Sequence, residues 1–283
     1  MISRRNLLKG LAAAATGGLA TGLYAWRLEP EWLQIATRDL PVRDLPSHLE
    51  GATLLQLSDL HIGPRVEDAY VTRTFATASA LRPDFVVMTG DWITYRGPGQ
   101  FDQLARLMEN FPQGRLGTVG ILGNHDYGFN WRMGAVADRV ARIARDAGVR
   151  VLRNETALLA GLQFVGFDDL WGPNFVPAAI IKDAPVAKIA LCHNPDTADR
   201  PVWGGYQGWI LSGHTHGGQC RPPFLPPPIL PVANKRYTSG VVTVDAMKTL
   251  YINRGIGYLI RVRFNARPEL TLFRLRRARL VVA

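Results

Sequence analysis

Short, largely apolar runs recur along the chain, and segments with helical spacing separate the early ones. Runs of four or five such residues, bounded by polar residues, are typical of strands buried on both faces of a sheet. We predict five of these strands, at residues 53–57, 85–88, 118–122, 188–192 and 208–211. Helical patterns cover residues 67–80, 100–110 and 133–147. The alternation of strands and helices predicts an α/β fold.

The pattern becomes rich in strands after about residue 150. We expect a second sheet, packed on the first, from the runs at residues 149–153, 162–167, 241–244, 249–252 and 270–275. Before the first buried run, residues 27–50 contain Pro41 and Pro46, which suits an edge strand and its connection. No internal repeat and no long Gly/Ser linker interrupts the chain after residue 30. We therefore expect one folded domain from residue 51 to 283.

Arg4 and Arg5 form an adjacent pair near the N-terminus, and residues 10–26 follow without a single charge. A basic start before an apolar stretch is typical of an export signal. The pair and the following Asn-Leu-Leu-Lys resemble a twin-arginine signal, which takes folded proteins to the twin-arginine export machinery. We expect residues 1–26 to lie outside the fold, and the protein to reach the periplasm or the outer face of the cytoplasmic membrane. An ordinary secretory signal and an uncleaved membrane anchor remain open alternatives.

Each buried run in the first half ends in a polar cluster, and two further clusters follow the later runs. The carboxyl ends of strands are where open α/β sheets bind their ligands. The clusters are Ser-Asp-Leu-His at 58–61, Gly-Asp at 90–91, Gly-Asn-His-Asp at 123–126, Cys-His-Asn-Pro-Asp at 192–196 and Gly-His-Thr-His-Gly-Gly-Gln at 213–219. They hold five of the six histidines, and only His48 lies outside them. This sorting predicts one shared polar site.

A pair of divalent cations fits these carboxylate, amide and imidazole groups. Two cations about 3.5–4 Å apart can hold a phosphoryl group and lower the pKa of a bridging water until hydroxide forms near neutral pH. A carboxylate shared by the cations offsets their repulsion, and neutral imidazoles complete each shell. Asp59 and His61, like His214 and His216, are separated by one residue, so each pair would point the same way in extended backbone. Glycines in the clusters permit tight turns beside the ligands.

Composition and charge narrow the class of partner. The chain has 283 residues, of which 47% are hydrophobic and 20% charged, and these values exclude a disordered or collagen-like protein. Lys and Arg outnumber Asp and Glu by 33 to 23, which gives a formal charge of +10. The excess favours an anionic partner, either a phosphate ester, a nucleic acid or a lipid surface. Cys192 and Cys220 can form at most one disulfide, and the sequence leaves open whether they pair.

The ordered set of D-x-H, G-D, G-N-H-D, H and G-H-x-H over residues 59–216 resembles the calcineurin-like metallophosphoesterase superfamily. Four further stretches resemble its branch of exported or membrane-associated bacterial phosphodiesterases: GHTHGGQ at 213–219, Cys-His-Asn-Pro-Asp at 192–196, Gly-Phe-Asp-Asp at 166–169, and Arg-Gly-Ile-Gly at 254–257 with Arg-Phe-Asn at 263–265. Relatives in that branch hydrolyse UDP-2,3-diacylglucosamine. The resemblance implies a four-layer α/β sandwich of two mixed β-sheets flanked by helices.

By position, the resemblance also implies a role for each residue of the clusters. The implied ligands of two divalent ions are Asp59, His61 and His216 for one, Asn124, His193 and His214 for the other, and Asp91 between them. Oxygen and nitrogen ligands without a thiolate suit Mn, Fe or Zn. His125 would stay free of metal and act as general acid for the leaving oxygen, oriented by Asp126. The family often reads G-D-x-x-D, but Thr94 stands at the last position here, so a supporting carboxylate is missing.

Weaker signals concern the substrate. The stiff, proline-rich stretch at 221–231 follows the last cluster directly and is either a wall of the substrate groove or a surface connection. The residues that we predict to contact substrate are Phe224 and Leu225 on this stretch, and Arg254 and Arg263 on phosphate. Asp168 and Asp169 either support a ligand histidine or cap a turn. The eight arginines from residue 251 onward predict a solvated strand face or a basic surface for anionic lipid.

These observations predict an enzyme in which a metal-activated water cleaves a phosphodiester or pyrophosphate bond. The expected substrate is phosphorylated and lipid-linked, such as UDP-2,3-diacylglucosamine, and is used near an anionic membrane surface. No nucleic acid is expected as a partner. A broad-specificity periplasmic phosphatase and a noncatalytic, metal-dependent glycolipid-binding protein are the alternatives.

Overall fold

Two six-stranded mixed sheets form the framework of this protein, seen in a computed structural model that describes residues 3–176, 180–181 and 186–278. The helices are α1 Arg4–Leu23, α2 Asp68–Ala80, α3 Gly99–Met108 and α4 Gly134–Asp146. The strands of the first sheet are β1 Gln34–Val42, β2 Thr53–Leu57, β3 Phe85–Thr89, β4 Gly117–Ile121, β5 Arg150–Val151 and β12 Glu269–Arg277. Those of the second are β6 Glu155–Leu159, β7 Leu162–Gly166, β8 Ala187–Leu191, β9 Gly208–Ser212, β10 Gly240–Thr243 and β11 Lys248–Ile252.

The first sheet has the order β1-β12-β2-β3-β4-β5. Strands β2 to β5 are parallel, and β12 runs parallel to β1 but antiparallel to β2. The predicted edge strand is therefore β1. The central strand β3 is buried along its whole length, as its unbroken apolar sequence predicts.

The second sheet has the order β10-β11-β9-β8-β7-β6. Its strands β7, β8, β9 and β11 are parallel, and the antiparallel β6 and β10 close its two edges. Apolar residues of both sheets form the core between them, for example Phe85 and Phe273 with Phe164 and Ile189. The two sheets thus pack face to face as predicted.

The outer face of the first sheet is covered by α2, α3 and α4. Helix α4 buries Val136, Ala137, Val140, Ala141 and Ala144, which recur with the three-to-four spacing of one helix face. Over the outer face of the second sheet lie the 3₁₀ turn Pro195–Asp199 and the aromatic residues Trp203 and Tyr206. The predicted α/β sandwich of two mixed sheets is confirmed.

Two sequence-based assignments to the second sheet are wrong. The runs at 149–153 and 270–275 supply β5 and β12, which both pair in the first sheet. Strand β6 was not predicted at all, because the polar Glu155 and Thr156 leave an apolar run of only three residues in Glu155–Leu159. Local hydropathy identifies a strand, but the partner of that strand depends on the path of the whole chain.

Helix α1 precedes the sheets and is capped by Ser3, whose hydroxyl accepts a hydrogen bond from the N–H of Asn6. Within the described ranges, no helix combines the length and the apolar character that crossing a bilayer requires. The chain joins the folded unit at Tyr24, whose ring packs edge-on against Phe264. Ala25 is buried, and its carbonyl accepts a 2.9 Å hydrogen bond from the N–H of Arg263. Packing therefore begins three residues before residue 27.

Candidate metal centre

The polar clusters meet where the carboxyl ends of five strands converge. Asp59 follows β2, Asp91 follows β3 and Asn124 follows β4, all in the first sheet, whereas His193 and His214 follow β8 and β9 in the second. Gln56 in β2 donates a 3.0 Å hydrogen bond to the carbonyl of Ser212 in β9 and so joins the sheets beside the site. The packing of the two sheets therefore brings ligands from distant parts of the sequence into one group.

Most of the candidate ligands occupy strained backbone. The φ angles are 52° at Asp59, 48° at His61, 56° at Asp91, 71° at His214 and 51° at His216. The expectation that Asp59 and His61, or His214 and His216, converge from extended backbone is therefore wrong. A left-handed conformation is uncommon outside glycine and costs free energy, so it persists only where the surroundings enforce it. Here it turns each side chain back toward the strand ends.

At two positions the backbone lies so close to a carboxylate that only glycine fits. A Cβ atom on Gly123 would collide with Oδ1 of Asp91, and one on Gly213 would collide with Ser58 and with Oδ2 of Asp59. The predicted use of glycine for close packing beside the ligands is therefore seen at these two positions.

Three candidate histidine ligands are held at one ring nitrogen by an acceptor outside the centre. His61 Nδ1 lies 2.9 Å from the Thr94 hydroxyl, and His193 Nδ1 lies 2.7 Å from the carbonyl of Thr89. His214 Nε2 lies 2.9 Å from the carbonyl of Pro231. Acceptors of this kind take the outer N–H of a ligand histidine and fix the orientation of its ring. His216 differs, because the Arg263 guanidinium 3.3 Å from its Nδ1 can only donate.

The other ring nitrogens point inward, toward the two carboxylates. His193 Nε2 lies 3.1 Å and His61 Nε2 lies 3.6 Å from Oδ2 of Asp91, and His216 Nε2 lies 3.4 Å from Oδ1 of Asp59. Burial alone would raise the pKa of Asp91, but the neighbouring imidazoles, His193 foremost, hold it well below the usual range of a carboxyl. Asp91 is therefore an anion at the middle of the group.

The chemistry of the donors fits divalent metal ions. Two groups have donor atoms within 4.8 Å of one another, namely Asp59 with His61 and His216, and Asp91 with His193 and His214. A third group of the same compactness joins His61, Asp91 and His125. Oδ1 of Asn124 is buried without a hydrogen-bond partner among the described residues. A buried amide oxygen left unpaired costs free energy unless a cation satisfies it.

The adjacent residues His125 and Asp126 have different surroundings. The His125 ring is partly exposed, lines the cavity over the centre and lies 5.0 Å from the His61 ring, and burial lowers its pKa. Asp126 is fully buried, and its carboxylate accepts hydrogen bonds from the N–H groups of Trp92, Ile93 and Gly123. Both of its oxygens are thus engaged by backbone, so Asp126 fixes the loops and not, as predicted, the His125 ring.

The two arginines predicted to bind phosphate have other partners. Arg254 forms a 2.9 Å ion pair with Glu269 and donates to Gln34. Arg263 is fully buried behind His216. Neither lines the cavity over the centre. The prediction is therefore not supported for either residue, because C-terminal arginines can also satisfy buried carbonyls and carboxylates of the fold.

A cavity of about 600 Å³ opens over the candidate ligands. Pro228, Ile229 and Pro231 of the proline-rich stretch line it, so this stretch is a wall, as one of the two alternatives predicted. Phe224 and Leu225 do not line it: Phe224 is completely exposed at the tip of a turn with φ 65°. The position of these two side chains therefore does not support their predicted contacts with substrate, because the turn directs them to solvent.

The remaining candidates are structural. Asp168 binds the Tyr127 hydroxyl and forms a 3.1 Å ion pair with Arg153, and Asp169 caps the turn at Trp171. Cys192 and Cys220 are both free thiols. From Leu272 to Arg276 on β12, partly or fully exposed positions alternate with buried ones, so this part of the strand has one solvated face.

Sequence reasoning missed three functional positions. Thr94 contacts His61 from the position where the family often has an aspartate. The replacement of that aspartate was the signal in the sequence that could have identified Thr94. Trp131 and Trp171 stack at a centroid distance of 4.9 Å and line the cavity, and Trp171 also packs edge-on against His214. Nothing in the spacing of these tryptophans predicts that they meet.

Comparison with known proteins now identifies the family. Residues 52–218 match the family "Calcineurin-like phosphoesterase", which is more than half of the chain. The chain belongs to this family. Phosphodiesterase YaeI of Escherichia coli is 31% identical to it over 97% of this chain and 100% of its own length. The uncharacterized metallophosphoesterase YkuE of Bacillus subtilis is 32% identical over 97% of this chain and 98% of its own length.

A third relative is named for its substrate. UDP-2,3-diacylglucosamine pyrophosphatase LpxG of Chlamydia trachomatis is 26% identical over 94% of this chain and 97% of its own length. As a calcineurin-like phosphoesterase with this full-length similarity to enzymes, the protein is a metal-dependent phosphoesterase hydrolase. The noncatalytic alternative is thereby set aside.

Proposed function

We propose that this protein hydrolyses a phosphodiester or pyrophosphate bond in a lipid-linked substrate of the cell envelope, such as UDP-2,3-diacylglucosamine. The observation that carries the proposal is the 600 Å³ cavity, which has the candidate metal centre on one side and apolar walls elsewhere. The apolar side chains that line it are Trp131, Trp171, Pro228, Ile229, Pro231, Leu259, Ile260 and Val262. Apolar walls stabilise acyl chains by about 0.8 kcal/mol for each CH₂ that is buried.

Charge is distributed unevenly around the centre. Among the described residues that line the large cavity, none is a lysine or arginine. A smaller cavity of about 150 Å³ adjoins it, and the residues that line both cavities are His61, His125, Leu259 and Ile260. The smaller cavity is also lined by two exposed arginines, Arg65 and Arg96. A substrate with acyl chains and a second phosphate matches this arrangement. The large apolar cavity suits the acyl chains, and the smaller cavity with its two arginines suits the second phosphate.

The residues present suit two divalent ions, which we infer to be Mn, Fe or Zn. Asp59, His61 and His216 would hold one and Asn124, His193 and His214 the other, with Asp91 between them. Divalent ions bound there supply positive charge for the phosphoryl oxygens and an activated water as nucleophile. The acceptors outside the centre hold the donor nitrogens of His61, His193 and His214 in place.

His125 is the group that we infer to protonate the leaving oxygen. Its N–H binds Oδ1 of Asp91 at 2.9 Å, which fixes the residue beside the centre, while its ring faces the cavity that both substrate parts would share. Burial lowers the pKa of the ring, and an anionic phosphate brought next to it would raise its affinity for a proton.

The experiment compares matched substrates on purified, Mn²⁺-loaded enzyme. We expect kcat/KM for UDP-2,3-diacylglucosamine to exceed that for UDP-N-acetylglucosamine, while bis-p-nitrophenyl phosphate reports the basal phosphodiesterase activity. The name of LpxG supports the first substrate and that of YaeI the third. If acyl chains give no advantage, the lipid proposal fails and a broad-specificity periplasmic phosphoesterase remains.

We further propose that Arg4 and Arg5 direct export of the folded, metal-loaded domain by the twin-arginine machinery. Both residues lie in the first turn of α1, on an exposed segment that precedes the folded unit. Replacing both with lysine should leave the enzyme in the cytoplasm, measured by fractionation and by activity in each fraction. Normal export of the Lys-Lys variant would instead support the general secretory route.

A further inference from the structure

Two tryptophans form a stacked pair in the wall of the large cavity. The ring centroids of Trp131 and Trp171 lie 4.9 Å apart, their planes differ by 23°, and both residues line the cavity. Trp131 is 37% exposed although Trp171 lies against one face of its ring. Exposed aromatic rings in the wall of a cavity are typical contacts for a ligand.

The backbone that carries Trp131 is strained. Asn130 and Trp131 both have left-handed backbone, with φ of 59° and 58°, which is an outlier for a bulky side chain. The N–H of Met133 donates to the carbonyl of Tyr127 at 2.8 Å and so closes the segment. Strain of this kind persists only where the surroundings enforce it, and it is concentrated at ligand sites. The enforced turn therefore fixes where the Trp131 ring lies.

Trp171 is fixed by a buried carboxylate. Its N–H donates to Oδ1 of Asp169 at 2.8 Å, and Asp169 is buried. The N–H of Gly172 donates to the carbonyl of Asp169 at 3.1 Å, and a Cβ atom on Gly172 would stand 3.0 Å from the ring of Tyr127. The segments of both tryptophans thus contact the buried Tyr127, which holds the two rings in one relative orientation.

The pair lies beside the residues that would surround the reacting phosphate. The ring centroid of Trp131 is 6.1 Å from that of His125. The Trp171 ring packs edge-on against the ring of His214 at a centroid distance of 4.6 Å. A sugar attached to the phosphate would therefore carry its next group toward the indoles.

Fixed ring orientation distinguishes between two kinds of ligand. Contact with an acyl chain is non-directional and depends on the area buried, so it needs neither the strain at Trp131 nor the carboxylate of Asp169. Stacking of a planar group does depend on the orientation of the ring that it contacts. Nucleobases are planar, and every base has a face that stacks on aromatic side chains. The rigid pair therefore suits a nucleobase better than an acyl chain.

We propose that Trp131, backed by Trp171, binds the nucleobase of a nucleotide-linked substrate. This role rests on the proposed function and deepens it. The acyl chains would contact the wall to which Ile229 belongs, and the second phosphate would lie near Arg65 and Arg96, so the nucleoside needs a place of its own. Stacking tolerates any base, so the ligand class is nucleoside phosphates in general.

The test compares UMP with ribose 5-phosphate, which lacks the base, in calorimetric titrations of Mn²⁺-loaded enzyme. We expect wild type to bind UMP about 10–100-fold more tightly, the usual contribution of one stacked base. Trp131→Leu should lose about tenfold of this preference and keep its affinity for ribose 5-phosphate within about twofold, because leucine is apolar but cannot stack. Trp131→Phe keeps an aromatic face and should restore most of the preference.

Two further probes separate stacking from general apolar contact. UMP should quench indole fluorescence more than ribose 5-phosphate does, and Trp131→Leu should lose most of this difference. Octyl phosphate carries an alkyl chain and no base, so Trp131→Leu should bind it as tightly as wild type does. Trp32→Leu is the matched control, since Trp32 is also exposed but does not line the cavity, and it should change none of these affinities.

Folding is measured by thermal unfolding of each variant. If Trp131→Leu does not fold, Trp131→Asn decides, because asparagine tolerates left-handed backbone and cannot stack as an indole does. Equal affinity of wild type for UMP and ribose 5-phosphate, or an unchanged preference in the folded variant, overturns the nucleobase role. Weaker binding of octyl phosphate with an unchanged preference for UMP would assign Trp131 to the acyl wall and overturn it too.

The two proposals fail separately. A preference for UMP that depends on Trp131, in an enzyme for which acyl chains give no advantage, would leave the nucleobase role standing and remove the lipid-linked substrate. An advantage of acyl chains without any contribution from the base would do the reverse.

Discussion

The candidate metal centre and the apolar rim of the cavity, which Ile229, Leu259 and Ile260 form, differ in burial and in backbone support. At the centre, the candidate ligands are buried, most of them have left-handed backbone, and several have a partner of their own, as His61 has Thr94 and His193 has the carbonyl of Thr89. At the rim, Ile229 and Ile260 are exposed side chains on irregular segments. Rigid supports suit chemistry that tolerates little displacement, whereas a loose apolar rim suits a flexible ligand. The contrast indicates that the centre determines the reaction and the rim determines the substrate.

The largest expected effect tests the centre. Asp91→Asn should lower kcat by more than about 10³-fold, because the neutral amide removes the anion on which both groups of donors converge. Metal content, measured by elemental analysis after dialysis, should fall with it, while thermal unfolding of the metal-free protein changes little. A variant with full metal content and normal turnover would show that Asp91 is not a ligand.

The next largest effect is expected for His125, which lies between the metal centre and the rim. His125→Ala should keep its metal and lose about 10²–10⁴-fold in kcat, the usual contribution of a general acid. The loss should be smaller for p-nitrophenyl esters than for alkyl esters, since a good leaving group needs no proton. Equal losses for both kinds of ester would assign His125 to phosphate binding instead.

A third prediction tests the rim. Ile229→Ser and Ile260→Ser should each reduce the advantage of the diacylated over the unacylated UDP substrate by about tenfold, as expected when one aliphatic contact of about 1.5 kcal/mol is lost. Phe224→Ser is the matched control on the same proline-rich stretch, and it should change nothing because Phe224 does not line the cavity. Equal effects of Phe224→Ser and Ile229→Ser on kcat/KM would contradict the assigned wall.

The smallest expected effect is a difference in alkylation rate between the two thiols, one at the cavity and one in the core. Cys220 lines the cavity, whereas Cys192 is buried and burial raises the pKa of its thiol to about 12. Iodoacetamide at pH 8 should label Cys220 slowly and Cys192 only after unfolding, as read by mass spectrometry of peptides. Bound acylated substrate should slow the labelling of Cys220 further. Preferential labelling of Cys192 in the folded enzyme would contradict this picture.

Sequence reasoning reached the fold and the membership of the centre because both depend on local signals. A ligand such as Asp59 follows directly after a buried run, and parallel strands deliver such residues to one edge. The same reasoning failed for Arg263 and Phe224. Whether an arginine faces a cavity or the back of His216, and whether a loop residue points inward, depends on contacts between segments far apart in sequence. The extended backbone expected at Asp59 failed similarly, because pairing beyond the strand ends enforces a left-handed turn there.

The hydrogen bond between the Ala25 carbonyl and the N–H of Arg263 makes the end of the N-terminal segment part of the folded unit. Arg263 connects the N-terminal junction to His216, so the junction lies one residue away from a candidate metal ligand. A signal peptidase that cut after Trp26 would leave the buried N–H of Arg263 without its acceptor. A cut that left this hydrogen bond intact would have to spare Tyr24 and Ala25, so the folded unit itself limits how far the N-terminal segment can be shortened.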